Sequence, residues 1–220
     1  RLCLKACRKH PWEFLGLPLW RENAENHRVD LGVLQMPANA LLMGYFQSSR
    51  YFESIETELR QEIVPRAGLL HPSSASLESD LMGGESVAIH VRRGDFLVHA
   101  AFQVCDLEYY RAAMRALRES LNQPHFYVFS DDPSWCREHF SGHDISVVDE
   151  IAAHADPLHD LHLMSLAKHH IIANSSYSWW AAWLGKSQHQ RVIVPPRWFA
   201  KDIVAPIEEK CLPHWQVLTV

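Results

Sequence analysis

Val87-Ala88-Ile89-His90-Val91-Arg92-Arg93-Gly94-Asp95 decides how this 220-residue chain is read. Its apolar start, over 87–90, reads as a buried β-strand. Two guanidinium groups, an imidazole and a carboxylate leave the end of that strand together. In an open α/β sheet, ligands bind at that end of the strands. Arginine keeps its proton at physiological pH, and its planar fork matches phosphate oxygens two at a time. The cluster therefore predicts an anionic ligand, a phosphate or diphosphate, with an acid or base beside it.

Downstream, strand and helix patterns alternate. Asp106 is placed as the N-cap of a helix over 107–121, with Leu107, Tyr110, Met114, Leu117 and Leu121 on one face. A strand over 125–129 runs into Ser130-Asp131-Asp132-Pro133, and a short helix over 134–140 and a strand over 145–148 follow. Asp156-Pro157 opens a helix to about Lys168, proline being accepted in a first helical turn. A strand over 170–173 leads through Asn174-Ser175-Ser176 into a helix ending near Leu184, and 191–194 reads as the last strand. This alternation predicts an α/β fold, a parallel sheet flanked by helices, over 86–220.

Residues 1–85 are less regular and are expected to form a separate, partial N-terminal region. Within it, 51–64 reads as one helix with a stripe of Phe52, Ile55, Leu59 and Ile63, ended by Pro65. The serine-rich stretch 71–79, followed by Gly83-Gly84, reads as a linker.

A net charge of −5 gives no broad basic surface for nucleic acid, so an anion site must be a local basic pocket. No run approaches the roughly 20 apolar residues of a membrane span. The first ten residues are too charged for a signal-peptide core. Five scattered cysteines, Cys3, Cys7, Cys105, Cys136 and Cys211, read as free thiols in a reducing compartment. The expected location is cytoplasmic, with peripheral attachment to a membrane left open.

Two further segments carry candidate chemistry. In Ser130-Asp131-Asp132-Pro133, one aspartate is expected to cap the next helix, while the other could hold a ribose, a base edge or a metal. Asn174-Ser175-Ser176 offers hydroxyls and free N–H groups at a helix start, which favour anions. Trp179, Trp180 and Trp183 are expected in the core. His159 and His162 lie three apart on a helix, but no metal-binding spacing accompanies them, so no metal site is expected.

Taken together, His90 to Asp95, then Phe129-Ser130-Asp131-Asp132, then 172–184 resemble the α-1,2-fucosyltransferases, inverting glycosyltransferases that use GDP-fucose. Gly44-Tyr45-Phe46-Gln47-Ser48 with Tyr51-Phe52 is also similar to the segment upstream of their arginine motif. The resemblance covers about residues 40–200. It implies a GT-B-like arrangement whose Rossmann-like C-terminal domain holds the GDP-sugar. It implies transfer of L-fucose to the 2-hydroxyl of a galactose-containing glycan with no metal cofactor. By position, Arg92 matches the arginine on the diphosphate, and Arg93 its partner. Asp160 matches a guanine-binding aspartate, and Ser175 and Ser176 match residues near the β-phosphate. His90, Asp131 and Asn174 join them as expected donor contacts. Asp95 is expected to act as general base or to orient the arginines by a salt bridge. The glycine-rich segment resembling Gly-Gly-Leu-Gly-Asn-Gln that usually opens this family does not occur here. That departure leaves a catalytically inactive or truncated nucleotide-sugar-binding homologue as the alternative.

Overall fold

The computed structural model describes residues 16–22, 28–63, 74–148, 157–200, 203 and 205–219. Two short strands come first, β1 (Leu19–Arg21) and β2 (Leu41–Met43), paired in parallel. Helices α1 (Glu56–Glu62) and α2 (Ala75–Met82) follow. The regular part is then β3 (Ser86–Val91), α3 (Leu107–Ser120), β4 (His125–Ser130), α4 (Pro133–His139) and β5 (Ile145–Val147). It continues through α5 (Pro157–Leu166), β6 (His169–Ile171), α6 (Ser176–Leu184), β7 (Val192–Val194) and β8 (Gln216–Val217).

The six later strands form one sheet in the order β5-β4-β3-β6-β7-β8, and every pair is parallel. Ranked within this sheet, that is 3-2-1-4-5-6, the doubly wound order of Rossmann-like folds. All six residues of β3 are buried, as a central parallel strand covered on both faces requires. Val87, Ile89 and Val91 pack with Tyr110, Met114 and Leu117 of α3. Ala88 packs with Leu81 of α2 and with Leu163 and Met164 of α5. Trp179 and Trp183 of α6 join Val192, Val194, Trp198 and Trp215 in a third cluster. The expected tryptophan core is therefore present for these two residues.

Three expectations give way to tertiary structure. The serine-rich stretch is not a linker at its C-terminal end, because 75–82 is helical and Leu81 is fully buried. Ser74 donates to Glu78 at 2.7 Å and lies 3.1 Å from Nε2 of His159. The serine hydroxyl thus ties α2 to α5 rather than loosening the chain. The helix expected over 51–64 is broken into turns at Ser49–Tyr51 and Glu53–Ile55 before α1. Phe52 leaves helical backbone, with φ −133°, and wedges among Trp179, Trp180 and Trp183. Finally, β7 is not the last strand, since β8 pairs beside it. Pro65, Asp156, Cys3 and Cys7 lie outside the described residues. Among those residues Cys105, Cys136 and Cys211 are free thiols, and no helix is long and apolar enough to cross a membrane.

The adjacent histidines of β6 are structural. His169 Nδ1 accepts the Arg191 N–H at 3.0 Å, and its Nε2 faces Glu85 at 3.0 Å. His170 Nδ1 accepts from Gln190 at 3.1 Å, and its Nε2 faces the Met164 carbonyl at 2.8 Å. A carbonyl can only accept, so the neutral Nε2–H tautomer of His170 satisfies both partners.

Candidate functional site

The first strand of the doubly wound order, β3, has β4 on one side and β6 on the other, so the direction in which strands are added across the sheet reverses there and the loops diverge. A crevice opens at the carboxyl ends of these strands. In this protein it is a cavity of about 910 Å3. That lies within the usual ~300–1,000 Å3 of ligand sites. His90, Arg92 and Asp95 line it from the end of β3, Ser130 and Asp131 from the end of β4, and Asn174, Ser175 and Ser176 from the β6–α6 turn. Asp160 contributes from the first turn of α5. Separate segments of the sequence therefore meet in one cavity.

Arg92 is held between two carboxylates. One of its terminal nitrogens is 2.8 Å from Asp95 and the other 3.0 Å from Asp131. The Arg92 side chain remains about one-third exposed. Asp131 also accepts the backbone N–H of Arg93 at 2.9 Å. A Cβ at position 94 would come within 2.7 Å of the Asp131 carboxylate, so glycine allows this close approach. The structure thus makes Asp131 a brace of the arginine loop. Arg93 turns the other way and does not line the cavity. It pairs with Asp132 at 3.0 Å and stacks 3.8 Å from the ring centre of Trp135. Asp132 is the expected cap: it accepts the Trp135 N–H at 3.1 Å. That bond, helped by Arg93, holds its carboxyl below the usual range.

Ser175 caps α6, accepting the Tyr177 N–H at 3.3 Å. Ser175, Ser176 and Tyr177 at this helix start line the cavity, and a helix N-terminus favours negative charge there. Asn174 lines the cavity, yet its amide is committed. It donates to the carbonyls of Phe102 and Trp198 at 3.1 and 2.9 Å, and its oxygen accepts from Cys105 at 3.4 Å. Asn174 therefore sutures two loops at the rim. His90 sits on the floor beside the Tyr177 ring, buried, with no partner at Nδ1. Burial, and then the Arg92 charge, push its pKa down to about 3, so it is neutral at physiological pH. Among the described residues, no group of three or more His, Cys, Asp or Glu side chains is placed to hold a metal ion.

Sequence reading missed the aromatic part of the lining. Tyr45, Phe96, Phe102, Trp198 and Phe199 also face this cavity. Only 44–48 carried a signal, its likeness to the segment upstream of the arginine motif. Phe102, Trp198 and Phe199 sit in turns with no periodicity to mark them.

Acid should weaken the fold. Burial holds His170 at about 4 and His90 at about 3, against 6.5 in an unfolded chain. Between these values and 6.5 the unfolded chain binds more protons than the native one. Stability therefore falls as pH drops below 6.5, by about 1.4 kcal/mol per unit at first and up to about 2.7 once both rings count in full. Thermal melts at pH 7, 6 and 5 should show Tm falling by about 3–11 °C per unit below 6.5. A flat Tm over that range would contradict neutral burial of both rings.

The strand order and the cavity at its reversal point define a Rossmann-like α/β protein with a nucleotide-type crevice. A family model for glycosyl transferase family 11 matches residues 9–219, and the chain belongs to that family. Among its relatives is an alpha-1,2-colitosyltransferase of Escherichia coli, 34% identical over 176 residues, 76% of this chain and 59% of the relative. The O-antigen biosynthesis glycosyltransferase WbnK of Escherichia coli is 29% identical over 76% of this chain and 58% of its own length. Galactoside alpha-(1,2)-fucosyltransferase 1 of Bos taurus is 30% identical over 80% of this chain and 50% of its own length. The chain thus spans between half and three-fifths of the relatives it matches.

Proposed function

We propose that this chain binds GDP-fucose and takes part in inverting transfer of L-fucose to the 2-hydroxyl of a galactose-containing glycan. The observation that carries this reading is the meeting of Arg92 with the Ser175-Ser176 helix start in one cavity. In such a transfer the anomeric carbon–oxygen bond breaks, and its electron pair goes to the β-phosphate oxygen. The acceptor oxygen bonds the anomeric carbon from the opposite face, and its proton leaves to a base. The transition state carries oxocarbenium character, as in glycoside hydrolysis. Arg92 and the α6 N–H groups answer the charge growing on the diphosphate. Asp160 is assigned to guanine, and His90 lines the same cavity. Asp95, on the cavity wall, is assigned as the base. The reading invokes no metal.

Asp95 and Asp131 both contact Arg92, so their variants separate base from brace. Asp131→Asn should raise the KM for the donor by about 10-fold while changing kcat little, as a lost charge-assisted contact does. Asp95→Asn should lower kcat by about 10²–10⁴-fold if Asp95 takes the acceptor proton. Matching profiles for the two variants would reduce Asp95 to a second brace.

Calorimetry with GDP and GDP-fucose, then transfer onto lactose with and without EDTA, tests the whole reading. Binding of both ligands and EDTA-insensitive transfer are expected. Absence of guanine-nucleotide binding would reject it. Binding without transfer would assign this chain donor recognition alone. The 34% identical colitosyltransferase supports a second donor, the corresponding colitose nucleotide, to be run in parallel.

A further inference from the structure

A smaller cavity of about 190 Å3 opens beside the first, and Tyr45, Gln47, Ser176 and Trp198 line both. At about 30 Å3 per water molecule it holds about six waters, the room of one monosaccharide ring. Its walls include Phe46, Phe52, Trp179 and Trp180, and its polar groups include Ser48 and Lys210. We propose that this annex receives the sugar of the donor, a neutral 6-deoxyhexose, and that Lys210 is the specificity-determining residue that reads its hydroxyls. The inference rests on the donor reading given above, because Ser176 stands where the two cavities join and the sugar must extend from the diphosphate held there.

The chemistry of the annex fits that occupant. Aromatic walls suit the C–H face and methyl group of a deoxy sugar, while a few fixed polar groups set its orientation. Lys210 is 5% exposed, unusual for lysine. An ammonium group offers three donors and accepts nothing, so it favours hydroxyl oxygens. Burial lowers its pKa, and the carboxylates of Glu22 and Glu209 act the other way.

The annex is also firmly built. Glu22 accepts the N–H groups of Tyr45 and Phe46 at 2.7 and 3.1 Å, holding Phe46 in a left-handed conformation with φ +48°. Non-glycine residues adopt this conformation where surrounding structure forces it, often at ligand sites. Phe52 stacks on Trp180 at 5.3 Å between ring centres. The Trp179 indole N–H donates to the Lys210 carbonyl at 2.5 Å, tying the lysine's backbone to the wall.

Lys210→Met keeps the aliphatic stem and removes the donors. Calorimetry should show GDP affinity within about twofold of the unmodified chain and GDP-fucose affinity about 10–100-fold weaker, as for hydrogen bonds to a charged group. Unchanged GDP-fucose affinity would overturn the role of Lys210. Saturation-transfer NMR on the unmodified chain needs no variant and tests the annex itself. With GDP-fucose, the sugar methyl and ring protons should receive saturation from the aromatic side chains. Saturation confined to the guanosine protons would overturn the annex while leaving the donor reading intact. Absence of any GDP binding would instead overturn the donor reading, and this inference with it.

Discussion

Arg92→Ala is expected to weaken binding of GDP and GDP-fucose by about 10²–10³-fold, with Tm within about 2 °C of the unmodified chain. The side chain reaches the cavity from the end of a buried strand, and one-third of it is exposed, so its removal opens no hole in the core. Two carboxylates hold its guanidinium, at 2.8 and 3.0 Å, and both remain when it is gone. The variant therefore loses a bidentate anion contact and leaves like charges facing the diphosphate. Calorimetry and a thermal melt on one preparation measure both effects. Near-normal nucleotide affinity in that variant would remove the central residue from the site.

Trp183→Ala is expected to act in the opposite way, by unfolding. Trp183 is 1% exposed within the α6–β7 cluster, and large-to-small changes at such positions cost about 3–5 kcal/mol. It is also the anchor for the segment that builds the annex. Arg60 of α1 lies 4.0 Å over its ring and donates to its carbonyl, and Phe52 meets it edge-on at 5.4 Å. Urea melts should show a loss of about 3–5 kcal/mol or no cooperative transition. Limited proteolysis should cut first within 45–63, where packing on α6 is lost. A loss below about 1 kcal/mol would mean that the cluster closes around the gap.

Much of the sheet could be read from pattern because its strands are short buried runs bounded by turn residues. Five of its six strands, and the α-helices described after residue 100, lie within a few residues of their expected places. Caps set the helix starts: Asp106 accepts the Tyr109 N–H at 2.8 Å, and Asp132 and Ser175 cap α4 and α6. Capping depends on neighbours three residues away, which a sequence displays. The N-terminal part was opaque for the converse reason. Its two short strands pair only with each other, outside the main sheet, and Phe52 takes its conformation from tryptophans more than a hundred residues later.

The site divides along the same line. Residue types and their order along the chain were enough to single out Arg92, Asp95, Asp131 and Ser175-Ser176, because a strand end or helix start determines what kind of ligand a side chain can meet, whereas Asp160 was marked only by the family resemblance. Residue chemistry alone did not say which arginine faces the cavity; only the family resemblance put Arg92 there. Arg92 and Arg93 are adjacent and identical in chemistry, and only the placement of Trp135 and Asp132 draws one of them away. Buried Lys210 sits in a run, Glu208-Glu209-Lys210, that reads as solvated charge. Local chemistry is written residue by residue, but contact between distant segments exists only after the sheet brings its loops together.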